Sequence, residues 1–196
     1  APIIAGLGLF GVAVALGAQD LFKNLISGIL VLVEKRFKIG DWIFVEGITE
    51  GIVERIGFRS TVIRKFDKSI ATIPNASFAE NAVVNITETT NWRISWIITL
   101  QYSSTIQQLK DIRDQIEKFI STNKDFKIGE DTEHAVRIDK FSDSSIDMYI
   151  RCFTVTNEWS EWLKVKERLA VKIKEIVESN GASFAFPSTS VYVEKK

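Results

Sequence analysis

Residues 1–37 read APIIAGLGLFGVAVALGAQDLFKNLISGILVLVEKRF, and the rest of the chain is organised around them. The first eighteen residues carry no charge, and nine of them are Gly or Ala. That run reaches the lower end of the ~17–25 residues a membrane-spanning helix needs. A secretory signal would carry a basic stretch ahead of its apolar core, and none is present here. Gly8, Gly11, Ala15 and the pair Gly17–Ala18 recur at three- and four-residue steps, with Ala5, Gly6 and Ala13 beside them. Small residues at that spacing let helix backbones approach closely in lipid. On the helical period Leu9, Val12, Leu16 and Gln19/Asp20 share a face flanked by the small residues. A ring of such helices points Val12 and Leu16 at its axis and forms an apolar constriction that blocks ions by dewetting. A lone anchor helix with an incidental Gly/Ala face is the plainer alternative.

The same stretch carries a competing motif. Gly6, Gly8 and Gly11 fit G-x-G-x-x-G, and Glu34 closes the run ILVLVE 23 residues later. A dinucleotide site has that form: strand, glycine turn, helix and a second strand ending in an acid. Against it, the preceding strand spans only residues 2–5, no further βαβ alternation follows, and the small residues continue past the motif.

Gln19 and Asp20 sit where a spanning helix leaves the bilayer, and Asp20–Lys23 are i,i+3 partners. Residues 21–37 form an amphipathic pattern suited to a membrane surface or a neighbour's underside. Gly28 inside this stretch is a candidate second kink. Lys35, Arg36 and Lys38 mark the cytoplasmic side.

From Ile39 the period changes to two. Segments 41–45, 51–56, 60–66 and 69–73 read as strands with turns at Glu46–Gly47, Gly57 and Asp67–Lys68, a small β-barrel with a basic edge at Arg59, Arg64 and Lys65. Pro74–Asn75 reads as its closing turn. Beyond it come a strand over 92–102, a capping box Ser104–Gln107 opening a helix to about Ser121, strands over 135–141 and 146–155, and a helix over 161–179 capped by Ser160 and stopped by Asn180–Gly181. The order β-α-β-β-α-β over 92–186 is that of a ferredoxin-like sandwich. Residues 190–194 form a last strand without a local partner, which suits pairing with other copies in an intersubunit barrel.

Composition narrows function further. The 196 residues hold 25 Lys+Arg and 25 Asp+Glu, a balance that argues against nucleic acid as partner. One Cys (Cys152) and one His (His134) argue against a disulfide framework or a His/Cys metal site. No residue set points to catalysis, so neither an enzyme nor a cofactor is expected. The single methionine is Met148, and we expect the chain to be a processed product or part of something longer.

These pieces resemble the small-conductance mechanosensitive channel (MscS) family. The resemblance rests on the Gly/Ala helix, on Phe37-x-x-Gly40-Asp41-x-Ile43-x-Val45, Gly51-x-Val53, Thr61-x-Ile63-Arg64, Asp67 and Ile73-Pro74-Asn75, and on the run 181–187, GASFAFP. FSDSS (141–145), RCFTVTNEWSEWL (151–163) and FAFPS (184–188) look closest to the larger MscS-like paralogues. The resemblance implies a mixed α + β membrane protein in four parts. These are a kinked pore-lining transmembrane helix (1–38), a small Sm-like β-barrel domain (39–91), a ferredoxin-like α/β domain (92–187) and an intersubunit barrel strand (188–196).

It further implies a homoheptamer in the inner (plasma) membrane, multi-pass at full length, with a cytoplasmic C-terminal cage. Such channels open under membrane tension and release ions and small osmolytes on hypo-osmotic shock. By position Val12 and Leu16 correspond to the constriction rings. Ala5, Gly8, Gly11, Ala13 and Ala15 correspond to helix-packing sites, and Gln19 and Gly28 match as well. Asp20 stands where the family places its kink glycine, so the bend is expected at Gly17, at Gly28 or at the Gln19–Asp20 pair itself, and Val12 stands where the family usually has Leu. Amino-terminal tension-sensing helices, membrane lipids and permeating ions complete the expected partners. A dinucleotide-binding membrane-associated enzyme and a membrane-anchored scaffold are the alternatives.

Overall fold

The computed structural model describes residues 2–188, with side chains from Gly6 onward. It divides into two compact units, 1–89 and 90–196.

The first unit opens with α1 (Pro2–Val33), one continuous α-helix running through both Gly17 and Gly28. Strands β1 (Trp42–Val45), β2 (Thr49–Ile56), β3 (Ser60–Arg64) and β4 (Ile70–Pro74) follow as an antiparallel meander. Pro74 is not a closing turn. It caps a short helix, α2 (Asn75–Glu80), after which β5 (Val83–Asn85) returns beside β1, giving the order β4-β3-β2-β1-β5. Both α2 and β5 escape periodicity because six and three residues are too few to show one. Alternate residues of the strands point inward, so Ile43, Val45, Val53 and Ile63 meet Val31, Phe37 and Phe78 in one core. Gly51 faces the β3 backbone, where a Cβ would overlap the Arg64 carbonyl. The expected basic edge is largely neutralised: Arg64 forks onto Glu54 at 2.8 and 3.1 Å, and Lys65 lies 3.7 Å from Asp67.

The second unit is built from β6 (Arg93–Leu100), α3 (Ile106–Thr122), β7 (Ala135–Phe141), β8 (Ile146–Phe153) and α4 (Trp159–Ser179). The sheet runs β6-β8-β7, and residues 183–185 add to the free edge of β6 through Gln101 N–H to Ser183 O (3.1 Å) and Ala185 N–H to Thr99 O (2.8 Å). That is the ferredoxin-like order. Two helix starts differ from the sequence reading. The capping box is Thr105–Gln108, one residue later than Ser104–Gln107, because the Thr105 hydroxyl is the one that reaches an N3 amide, Gln108 N–H at 3.2 Å. Helix α4 begins at Trp159 after Glu158, with no side-chain cap, so Ser160 lies inside it. Its end matches expectation. Gly181 has φ +67°, and Ala182 N–H to Val177 O (3.1 Å) with Gly181 N–H to Glu178 O (3.0 Å) forms a Schellman motif.

Leu109, Ile112, Ile116 and Ile120 of α3, and Val165, Leu169, Ile173 and Ile176 of α4, cover the sheet at three- and four-residue steps. Trp92, Trp159 and Trp162 stack at one end, with centroids 4.6–5.5 Å apart and Lys166 Nζ 4.7 Å above Trp162. In the β7–β8 turn the Asp147 carboxylate is buried and accepts from Ser145 Oγ (2.6 Å) and Ser142 Oγ (2.7 Å). Those hydroxyls, Ser145 first, hold its pKa below the usual carboxylate range. Burial pushes the Cys152 thiol up to about 12. The expected strand over 190–194 lies outside the described residues.

Candidate pore helix and its seat on the β domain

Helix α1 has two halves with different surroundings. In the first, Leu7, Leu9, Phe10, Val12, Val14 and Leu16 are all exposed by more than half. Burying each is worth about 1.5–3 kcal/mol, so leaving the six in water forgoes roughly 10 kcal/mol, the scale of a whole domain's stability. This surface therefore requires a cover of lipid or other helices. The stretch Gly6–Val33 is long and apolar enough to cross a membrane.

At about 100° per residue the exposed side chains sort into stripes. Leu9, Val12 and Leu16 form one; Leu7, Phe10 and Val14 lie opposite. Gly8, Gly11 and Ala15 run down one flank between them, and Gly6, Ala13 and Gly17 down the other. A Cβ added at Gly6, Gly8, Gly11 or Gly17 would meet nothing within 4 Å, so their smallness answers no contact within the chain. Ala5 lies within α1, outside the described side chains.

The second half is seated. Ser27, Gly28 and Val31 are buried and Asn24 half-buried, the i, i+3, i+4, i+7 face of a helix lying on a neighbour. The neighbour is α2, with the β2–β3 turn at Phe58 beside it. Asn24 Oδ1 accepts from Ala76 N–H at 2.9 Å, and Lys23 Nζ pairs with Glu80. Gly28 lies against Asn75, where a Cβ would overlap Nδ2 and come within 3.1 Å of the Phe58 carbonyl. Asn75 itself is fully buried and satisfied on all sides. Thr61 Oγ1 donates to its Oδ1 (2.9 Å), its Nδ2 donates to Gly57 O (2.8 Å) and Phe58 O (3.1 Å), and its backbone N–H donates to Arg59 O (2.9 Å). A buried amide with every bond made is a rigid anchor.

The exit from α1 is fastened too. Arg36 Nη1 donates to Phe78 O (3.1 Å), and Phe37 meets Phe78 edge-on at 5.0 Å. The buried Asp41 carboxylate accepts from Lys38 N–H (3.0 Å) and Asn85 Nδ2 (2.8 Å), tying the connector to β5.

Gln19 and Asp20 stand exposed at the junction of the two halves. Lys23 pairs most closely with Glu80 of α2, far away in sequence, and its i,i+3 neighbour Asp20 adds a weaker attraction. The seat residues Ser27, Val31 and Glu80 carried no sequence signal, whereas Pro74–Asn75 did, as a motif without a visible reason. The dinucleotide reading fails on geometry: Gly6, Gly8 and Gly11 are helical, residues 2–5 ahead of them belong to the same helix, and Glu34 lies just past its end, bonded to Arg36 at 2.5 Å. Among the described residues no group of three or more His, Cys, Asp or Glu could hold a metal.

Two family models match: the mechanosensitive ion channel beta-domain over residues 20–88, and the mechanosensitive ion channel MscS C-terminal domain over 94–184. The chain belongs to the MscS family. An uncharacterized MscS family protein of Aquifex aeolicus is 42% identical over 193 residues, 98% of this chain and 52% of that protein. The small-conductance mechanosensitive channel MscMJ of Methanocaldococcus jannaschii is 35% identical, over 98% of this chain and 54% of its own. The low conductance channel YnaI of Escherichia coli is also 35% identical, over 95% and 54%. The chain thus spans about half the length of these MscS relatives. Among solved structures, closed-state MscS of Helicobacter pylori superposes with TM-score 0.82 at 28% identity, over 100% of this chain and 74% of that one. Arabidopsis thaliana MSL1 gives 0.87 at 22%, over 94% and 66%, a likeness of fold. The beta-domain match begins at Asp20, so the MscS β module includes the seated half of α1.

Proposed function

We propose that the full-length protein is a mechanosensitive ion channel of the inner (plasma) membrane, multi-pass and homoheptameric, whose pore is lined by α1. The observation that carries this reading is a helix with a bare apolar first half and a second half fastened to a folded β module. Seven copies packed through the two small-residue flanks turn the Leu9–Val12–Leu16 stripe toward a common axis and the Leu7–Phe10–Val14 stripe toward lipid or outer helices. Leu16, with Val12 above it, closes the pore by keeping it dry. Gln19 and Asp20 form its cytoplasmic mouth. Ala5, Gly8, Gly11, Ala13 and Ala15 provide the sliding faces, and bending falls near Gly17, between the bare half and the seat, with Gly28 as a second hinge only if its contact with Asn75 opens.

Tension favours the state of larger in-plane area, so it shifts the equilibrium by its differential action on closed and open states. Ions and small osmolytes leave through the open pore during hypo-osmotic shock. Patch recording of the full-length protein in liposomes under graded suction tests this. Stepwise currents that rise with suction support the channel; a silent membrane at lytic tension leaves a membrane-anchored scaffold instead.

A further inference from the structure

We infer that Asp20 makes this pore prefer cations over anions, through a ring of carboxylates one helical turn below Leu16. The inference rests on the channel reading above and assigns its ion class.

Between Gly6 and Val33 only two residues are ionisable, Asp20 and Lys23. Charges in a spanning helix are costly in hydrocarbon and occur where the helix meets water or a partner. Lys23 has a partner, since its ammonium is held by Glu80 on α2. That helix starts at the anchored Asn75, so Glu80 rides on the seat rather than on the bare half. Asp20 is different. Its carboxylate is exposed and makes no salt bridge among the described residues; its charge attracts Lys23, whose ammonium is held by Glu80, and its backbone carbonyl accepts from Asn24 Nδ2 at 2.9 Å. The next cation along the chain, Lys35, lies beyond the end of α1, and Arg36 is committed to Glu34 and Phe78 O.

Direction matters as well. Asp20 follows Leu16 by four residues and Leu9 by eleven, and both steps return a helix to nearly the same face. The carboxylate therefore continues the apolar stripe about 6 Å below Leu16. Lys23 lies on the same side, but it faces two carboxylates, Asp20 and Glu80. One negative charge per subunit stays unbalanced whichever way the ammonium turns. Repeated around an axis, it gives the charged ring that favours cations in other pores. The field of such a ring reaches about one Debye length, ~10 Å at 0.1 M salt, comparable to a narrow mouth, and ~3 Å at 1 M.

The test is the reversal potential of tension-gated currents from the full-length protein in liposome patches, under a tenfold KCl gradient. Wild type reverses toward the potassium potential. Asp20→Asn retains gating and moves the reversal toward zero, a several-fold loss of cation preference, and Asp20→Glu restores it. Glu80→Gln frees Lys23 to neutralise Asp20 and shifts the reversal the same way, which decides the matter even if Asp20→Asn yields no channels. Tension-gated currents with an unchanged reversal potential in Glu80→Gln and in any Asp20→Asn channels overturn the inference while leaving the channel reading intact. Absence of tension-gated current from the wild type overturns the channel reading and this inference with it.

Discussion

Replacing Gly28 by alanine tests the seat of α1, because two effects of opposite sign meet there. Alanine is favoured over glycine inside a helix by about 1 kcal/mol. An isolated helix carrying Gly28→Ala is therefore more stable. In the folded unit the new Cβ overlaps Asn75 Nδ2 and crowds the Phe58 carbonyl at 3.1 Å. Forcing a methyl into a packed site costs about 1–3 kcal/mol. Displacing the Asn75 amide also endangers its bonds to Gly57 O and Phe58 O and from the Thr61 hydroxyl, all in a buried site. Each buried group left unpaired costs about 1–3 kcal/mol. Loss of one such bond together with the overlap outweighs the propensity gain and leaves a net destabilisation of about 1–5 kcal/mol.

The assay is thermal or denaturant unfolding of the full-length protein in detergent, followed by tryptophan fluorescence, as a double-mutant cycle with Asn75→Ala. With the amide gone, Gly28→Ala becomes neutral or stabilising, so the two substitutions couple by more than about 1 kcal/mol. A Gly28→Ala protein as stable as wild type, or strictly additive effects, refutes the reasoning.

Leu16→Ser wets the constriction, so the full-length channel leaks and opens at lower suction; an unchanged threshold in patch recordings removes Leu16 as the gate. Gly11→Leu fills a flank where a Cβ meets nothing within the chain, so its effect is confined to the assembly. We expect impaired closure with unaltered folding of the β domain, and a normal gating curve counts against packing there. Asp147, whose pKa is lowered by Ser145 and Ser142, contributes stability that is complete above the unfolded carboxylate value of about 4 and is lost as pH falls through the folded value. Asp147→Asn should lower stability at pH 7 and flatten the acid limb of an unfolding-against-pH curve. Cys152, buried with its thiol at about 12, should resist alkylation at pH 7–8 in the native protein and label at the rate of global unfolding.

Much of the architecture was legible locally. The uncharged Gly/Ala run specified a long apolar helix, the form of backbone that hydrocarbon accepts because its polar groups are bonded internally. The change of period at Ile39 announced strands, and Asn180–Gly181 announced a helix end, because a Schellman stop needs only local geometry. Helix starts were less legible. Neighbouring Ser104 and Thr105 offer two candidate caps, and only the turn after Gln101 selects the second.

The sequence by itself determined that an apolar, small-residue helix leads into a β module and an α/β module, since periodicity and composition report burial and backbone state. It also placed Val12, Leu16, Gln19 and Asp20 on one helical face. Only the tertiary structure decided where α1 is free and where it is held. That division depends on Asn75, Ala76, Glu80 and Phe78, some fifty residues away along the chain, and on a glycine whose missing Cβ makes room for a buried amide. Such contacts join surfaces that are remote in sequence, and no local pattern encodes them. The same long-range pairing holds the Lys23 ammonium on Glu80, so two carboxylates, Asp20 and Glu80, share one cation where the bare and seated halves of α1 meet.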